Sequence, residues 1–323
     1  MDYEAVARDR LKAVSYDEKA LGIAPTLCHD GPGNVDTRLV AVFLMILGFS
    51  TKGGMFPMHG WLPTAHPAAP SPASAVLSGV ITKAGVLGVI RLLYGYIGAD
   101  FLRGTWVQTA FMSLTLFTVF MGSMLAFREG LLKKRLAWSS VSQVSYVLFG
   151  LSTLHPVGFV GAVLHVIAHS LIKDILFMSA GAIILKTEKT QVKDLRGIGK
   201  QMPVVMWCFT IASLGLIGIP PCLGFVSKWY LAQGSLAMTG VPALLNVLGP
   251  AVLLISALLT AGYLMPIVIR GFFPGEDAPE LPGCEPGWGM RGPMILLTSL
   301  IVLLGMFPGA LIGLFSALGS ALM

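Results

Sequence analysis

Eight apolar runs, at about 39–58, 72–96, 107–127, 136–152, 157–185, 203–233, 244–271 and 292–321, leave this chain few possible folds. A helix needs about 20 such residues to cross the hydrocarbon core of a bilayer, whereas a barrel strand needs only about 10. Lipid offers the backbone no water, so each spanning segment must satisfy its own N–H and C=O groups. Only 12% of the 323 residues are charged, and the mean hydropathy is +0.78. A soluble domain carries about 25% charged residues. The sequence predicts an all-α polytopic membrane protein with about eight transmembrane helices.

The 16 acidic residues mark the aqueous segments. Seven precede residue 37 and four fall in 276–285. Asp100, Glu129, Glu188 and Asp194 sit in short polar connections, and only Asp174 lies inside an apolar run. The net charge of +6 is loop charge, suited to anionic headgroups, and no interleaved basic and aromatic surface points to nucleic acid. Cys28, Cys208, Cys222 and Cys284 show no CxxC spacing, which argues against iron–sulfur or structural zinc ligation. The opening MDYEAVARDRLKAV lacks the apolar core of a cleavable signal peptide.

With eight spans, the loops at about 59–71, 128–135, 186–202 and 272–291 share one side. They carry Arg128, Lys133, Lys134, Arg135 and the basic residues of 186–200, so this side is expected to be cytoplasmic. Both termini are then outside. The tail, with four basic and seven acidic residues over 1–36 (4 − 7 = −3), does not oppose that placement.

Two runs carry helix breakers. Lys52 precedes Gly53, Gly54 and Pro57, and GIPPCLG at 218–224 precedes Lys228. Prolines remove backbone donors, so both spans are predicted to be discontinuous. Unwound backbone at membrane depth is tolerated where it lines a hydrated cavity, and paired broken helices suggest an inverted repeat around an ion site. Lys52, Lys83, His165, His169, Lys173 and Lys228 all fall within spans, several residues inside apolar sequence. Arg91, Lys186 and Arg270 are near enough to span ends to reach the headgroups. Intramembrane ionisable groups mark ion or proton paths.

His165, His169 and Lys173 have i, i+4, i+8 spacing and share one helix face. The two histidines also have zinc-protease spacing, but Val166 stands where that motif has its general-base glutamate. Histidines hydrogen-bonded in a bundle core are the plainer alternative; titration near neutrality favours a proton relay. His59 and His66, in HGWLPTAH, sit at a cytoplasmic corner suited to loop packing or proton entry more than to metal binding.

The stretch TKGGMFPMHGWLPTAHPAAPSPASAVLSGVITKAG resembles the signature of the antiporter-like membrane subunits of respiratory complex I, multisubunit Na⁺/H⁺ antiporters and membrane-bound hydrogenases. KKRLAWSSVSQVSYVLFG, HVIAHSLIKDILFMSAGAII and GIPPCLGFVSKWYLAQG are similar to that family's later motifs. The resemblance runs from about residue 39 to the end and leaves a polar tail, 1–38, outside it. It implies a fold of fourteen core helices in two inverted five-helix repeats, of which the eight spans resemble helices seven to fourteen. Residues 39–96 would then end the first repeat, 107–271 form the second, and 292–321 be the final helix.

By the same resemblance, Lys52 matches the lysine of broken helix seven and Lys83 the bridging lysine of helix eight. His165, His169 and Lys173 match the central histidine–lysine line, and Lys228 the exit-side residue of broken helix twelve. His59 and Asp174 are accessory candidates; at Asp174 the family is expected to carry a small apolar residue. The family's helix-five glutamate is missing with helices one to six, so a second chain is expected to supply them and an acidic partner for Lys52.

The implied function is proton translocation within a complex-I-like, redox-driven complex of the NADH dehydrogenase or membrane-bound hydrogenase type, in an energy-transducing membrane. The chain itself is expected to be non-catalytic and to hold no cofactor. Iron–sulfur clusters and a quinone or nickel–iron centre would belong to redox partner subunits. A subunit of a gradient-driven Na⁺/H⁺ antiporter, a self-contained secondary transporter, and a structural arm with a vestigial channel are the alternatives.

Overall fold

Backbone self-sufficiency in lipid has the expected outcome, and the described residues form helices with no β-ladder beyond the isolated bridge Leu131–Gln191. A computed structural model describes residues 37–275 and 283–323. The tail 1–36, with Cys28, and the acidic segment 276–282 lie outside it. The principal helices are α1 Thr37–Gly53, α2 Trp61–Ala68, α3 Ser71–Ile97, α4 Trp106–Arg128, α5 Leu132–Ser152 and α6 Pro156–Thr187. They continue with α7 Pro203–Ile217, α8 Leu223–Ala237, α9 Ala243–Phe272, α10 Trp288–Met306 and α11 Gly309–Leu322. Residues Val42–Met323 form one compact unit; of the other, Met1–Ala41, the described part is the first turn of α1.

Five helices, α3, α4, α6, α9 and α10, are long and apolar enough to cross a membrane alone. The chain is an all-α membrane protein. α5 is the helix whose sequence least resembles a span. It opens on Lys133, Lys134 and Arg135 and is dotted with serines, yet every residue from Ser139 to Ser152 is buried. Its hydroxyls are paired inside the bundle: Ser123 of α4 bonds Ser142 of α5 at 2.8 Å and Ser256 of α9 at 2.6 Å. Protein partners rather than lipid surround it, so polar side chains cost little there.

Both predicted breaks are present. α1 stops at Gly53, and the chain crosses by turns to α2. Gly54, at φ +80°, gives the left-handed step that ends the helix. The freed carbonyls are taken up locally, Ser50 O by Met55 N at 3.2 Å and Thr51 O by Gly54 N and by Trp61 Nε1, each at 2.9 Å. The second break separates α7 from α8, with Gly218 at φ +95°. Leu214 O there accepts from Gly218 N and Ile219 N, both at 3.0 Å.

The span expected over 292–321 is instead two helices, α10 and α11, which part at Phe307 and Pro308. Proline lacks the N–H that would have carried the ladder across. The 72–96 span is one helix with two wide-turn π segments, Leu77–Ile81 and Arg91–Ile97. A π segment inserts an extra residue and shifts the side chains beyond it around the helix.

Candidate functional site

α6 is the backbone of the polar seam. Its 32 residues run through the bundle, and His165, His169 and Lys173 are all buried. The rings of His165 and His169 stack one turn apart, with centroids 6.2 Å apart and planes 16° from parallel. The i, i+4 spacing read from the sequence produces this stack. Lys173, two turns beyond His165, turns away to α5, where its Nζ donates to Leu136 O at 2.9 Å and to Ser139 Oγ. Helical spacing placed it on the histidine face; the carbonyl and hydroxyl of α5 decide where its ammonium goes.

Lys83 reaches the seam from α3. Its Nζ lies 2.8 Å from His169 Nδ1 and also donates to the carbonyl of Ser78, inside the first π segment. One proton can sit between the two nitrogens. A lysine ammonium donates to a neutral imidazole, or the imidazole Nδ1–H donates to a neutral amine.

His165 is held on both nitrogens. Nε2 is 3.1 Å from Gln143 Oε1 and Nδ1 is 2.9 Å from Ser227 Oγ. An amide oxygen only accepts, so with this amide orientation Nε2 carries a proton. The Ser227 hydroxyl can donate to Nδ1, which leaves the ring neutral. It can instead donate to Gly224 O at 2.9 Å and accept from Nδ1–H, which makes the ring cationic. Rotation of one hydroxyl separates the two states while every heavy atom stays in place. That is what a relay group needs.

Tyr146 of α5 stacks on His165 at 5.4 Å, and the Lys228 ammonium lies 5.0 Å from the centroid of the same tyrosine ring. Lys228 Nζ also donates to Leu216 O at 2.6 Å and Ile217 O at 2.9 Å, the last carbonyls of α7. A cation at the negative end of a helix is favourable, and here it closes two orphan acceptors as well. Lys83, His169, His165, Tyr146 and Lys228 thus form one contact series across α3, α6, α5 and α8.

The remaining candidates stand apart. Lys52, in the last turn of α1, is exposed and has no acidic partner among the described residues. His59 lies between Phe56 and Trp138 in the first break, with ring centroids 5.7 Å away on each side. His66 is buried against Phe177 at 4.6 Å. Asp174 leans on Gly79 of α3. No three histidine, cysteine or acidic side chains gather to hold a metal among the described residues. Gln143, Tyr146 and Ser227 are the residues sequence reading missed. Ser139, Gln143 and Tyr146 share one face of α5 at i, i+4, i+7 spacing, a signal visible in the sequence.

At the loop end near the basic residues, Glu129 pairs with Lys134 at 3.1 Å. Burial by itself would raise the Glu129 carboxyl; the Leu131 and Gly130 backbone N–H groups and the Lys134 ammonium outweigh it and hold it below the usual carboxylate value.

Residues 26–253 match the family described as NADH:quinone oxidoreductase/Mrp antiporter, transmembrane. The chain is 34% identical over 287 residues to NADH-quinone oxidoreductase subunit N of Desulforudis audaxviator (strain MP104C), covering 83% of this chain and 55% of that one. It is 34% identical over 293 residues to hydrogenase-4 component B of Escherichia coli (strain K12), covering 82% and 42% respectively. A chain of the Mrp complex from Dietzia sp. DQ12-45-1b superposes with a TM-score of 0.81 over 89% of this chain and 60% of that one, at 24% identity. The chain spans about half the length of the curated relatives it matches.

Proposed function

The chain belongs to the NADH:quinone oxidoreductase/Mrp antiporter transmembrane family, and on that premise we propose that it relays protons across an energy-transducing membrane as an antiporter-like subunit of a redox-driven, complex-I-like or hydrogenase-type assembly. The observation that carries this reading is the contact series from Lys83 through His169, His165 and Tyr146 to Lys228. Protons would pass along Lys83, His169 and His165, with Lys173 as a buried side store and Lys228 as the group that exchanges with one face. The ring-flip-free exchange at His165 supports a relay over a passive core. The names of the relatives, an oxidoreductase subunit and a hydrogenase component, support redox partners, and the iron–sulfur, quinone or nickel–iron chemistry would reside on those chains.

Lys52 is the proposed switch. Its exposure suits a partner chain that brings an acidic side chain to it. At an effective dielectric near 20, two charges about 4 Å apart interact by roughly 4 kcal/mol. Making or breaking that pair would be the charge change that moves a proton in the seam, provided screening by channel water is modest. In this reading residues 39–96 close a first repeat, 107–271 form the second, and the basic loops face the cytoplasm. The likeness to an Mrp complex chain keeps a gradient-driven Na⁺/H⁺ antiporter as the second reading.

The test is gentle extraction of the native complex, identification of every co-purifying chain by mass spectrometry, and proton flux in inside-out vesicles with and without Lys83→Met. Redox subunits beside a chain that places an acid near Lys52, with flux abolished by Lys83→Met, are the expected result. Ion-transport chains with no redox subunit would favour the second reading. Flux at the wild-type stoichiometry in Lys83→Met would end both.

A further inference from the structure

One half-buried acid, Asp174, has no part in the relay described above. Asp174 follows Lys173 on α6 but points about 100° around the helix from it, toward α3 rather than α5. The two helices run antiparallel there, with Ser71 meeting Gly181, Gly79 meeting Asp174 and Lys83 meeting His169. A Cβ on Gly79 would stand 2.2 Å from Asp174 Oδ1, so the carboxylate fits because residue 79 has no side chain. Oδ1 is buried and has no hydrogen-bond partner among the described residues. Lys83 lies four residues from Gly79, on the same face of α3. Its ammonium is anchored at Ser78 O, a carbonyl of the π segment that also accepts from Thr82 Oγ1 at 3.0 Å. Ser78 is Gly79's neighbour, so that anchor lies beside the residue that Asp174 meets.

We propose that Asp174 is a second docking position for the Lys83 ammonium, and that the lysine swings about Ser78 O between His169 Nδ1 and the Asp174 carboxylate. Against His169 it is in the relay. One proton can pass from Nζ to Nδ1, leaving a neutral amine and a charged imidazole. Against Asp174 the ammonium is held as an ion pair, and the seam is interrupted between α3 and α6. Asp174 is thus a positioning residue that acts through Lys83. An acid here is affordable only with a cation in reach, because an unpaired charge at this depth is costly. This inference rests on the proton-relay reading.

The experiment uses the native complex carrying Asp174→Asn, Asp174→Glu or Lys83→Met, reconstituted in liposomes and scored for assembly and proton flux. Isotope-edited infrared spectra follow the Asp174 carboxylate in wild type and in Lys83→Met. Each cycle needs the lysine to leave His169 as well as to meet it, so Asp174→Asn is expected to assemble and to lower flux roughly tenfold, the scale of one coupling between two sites, with Asp174→Glu restoring most of it. The carboxylate band should shift when Lys83 is replaced, which a merely structural acid would not show. Wild-type flux in Asp174→Asn, with flux blocked in Lys83→Met, would overturn the docking position and leave the relay standing. Wild-type flux in Lys83→Met would overturn the relay itself. If Asp174→Asn fails to assemble, the infrared comparison decides: an unmoved band sinks the proposal.

Discussion

At the first break α1 ends on Gly53, and its last carbonyls are closed by Gly54 N, Met55 N and the Trp61 indole. At the second break α7 ends on Ile217, and the carbonyls of Leu216 and Ile217 are closed by the Lys228 ammonium, reaching back from α8. Both breaks use a glycine at positive φ and both carry a lysine. The difference lies in what the lysine does for the helix end. Lys228 is part of the cap, so its charge is tied to the geometry of α7. Lys52 is spared that duty by backbone and indole donors, and its ammonium stays on the surface. A charge that caps a helix is fixed in place, while a charge freed from capping can answer to a partner.

Lys228→Ala should break this comparison most. It removes the cap of α7 and the end of the proposed relay together, so proton flux is expected to fall on the order of a hundredfold. Thermal unfolding of the detergent-extracted complex should show a loss of about 1–3 kcal/mol for the two carbonyls left without a charged donor. Gly218→Ala and Gly54→Ala come next, each at about 1–2 kcal/mol for a left-handed residue with a Cβ. The loss should be larger at 218, where the new Cβ would meet Lys228 Cδ at 2.9 Å, than at 54, where the nearest atoms are 3.4 Å away. Equal losses would mean that the lysine gives way freely and is no rigid cap.

Trp61→Phe should cost about 1 kcal/mol, the net worth of one hydrogen bond to Thr51 O. Lys52→Met should leave stability within about 0.5 kcal/mol, as for other surface changes, while it uncouples flux from the driver. A stability loss at Lys52 comparable to that at Lys228 would erase the distinction.

Much of this was legible in the residues. Apolar run length gave the helices, and Gly54, Pro57 and the 218–224 segment gave the breaks, because those residues act through the local backbone. The ionisable residues were identifiable because charge inside an apolar run needs a reason. What sequence could not supply was direction. Lys173 shares a face with the histidines by spacing, yet its ammonium is drawn to Leu136 O and Ser139. The run 136–152 is the shortest of the expected spans, and only the surrounding helices turn the serines of α5 inward. The division of 292–321 hangs on Pro308, which a hydropathy reading passes over.

The all-round burial of α5 has a consequence for how the protein meets different membranes. Leu244, Leu254, Leu258, Leu296 and Leu303 face outward from α9 and α10, and a bilayer thicker or thinner than these helices costs fractions of a kcal/mol per Å of mismatch. That adjustment falls on the perimeter as tilt. Gln143 and Tyr146 ride on a helix that no acyl chain touches, so the histidine seam keeps its register while the rim follows the lipid.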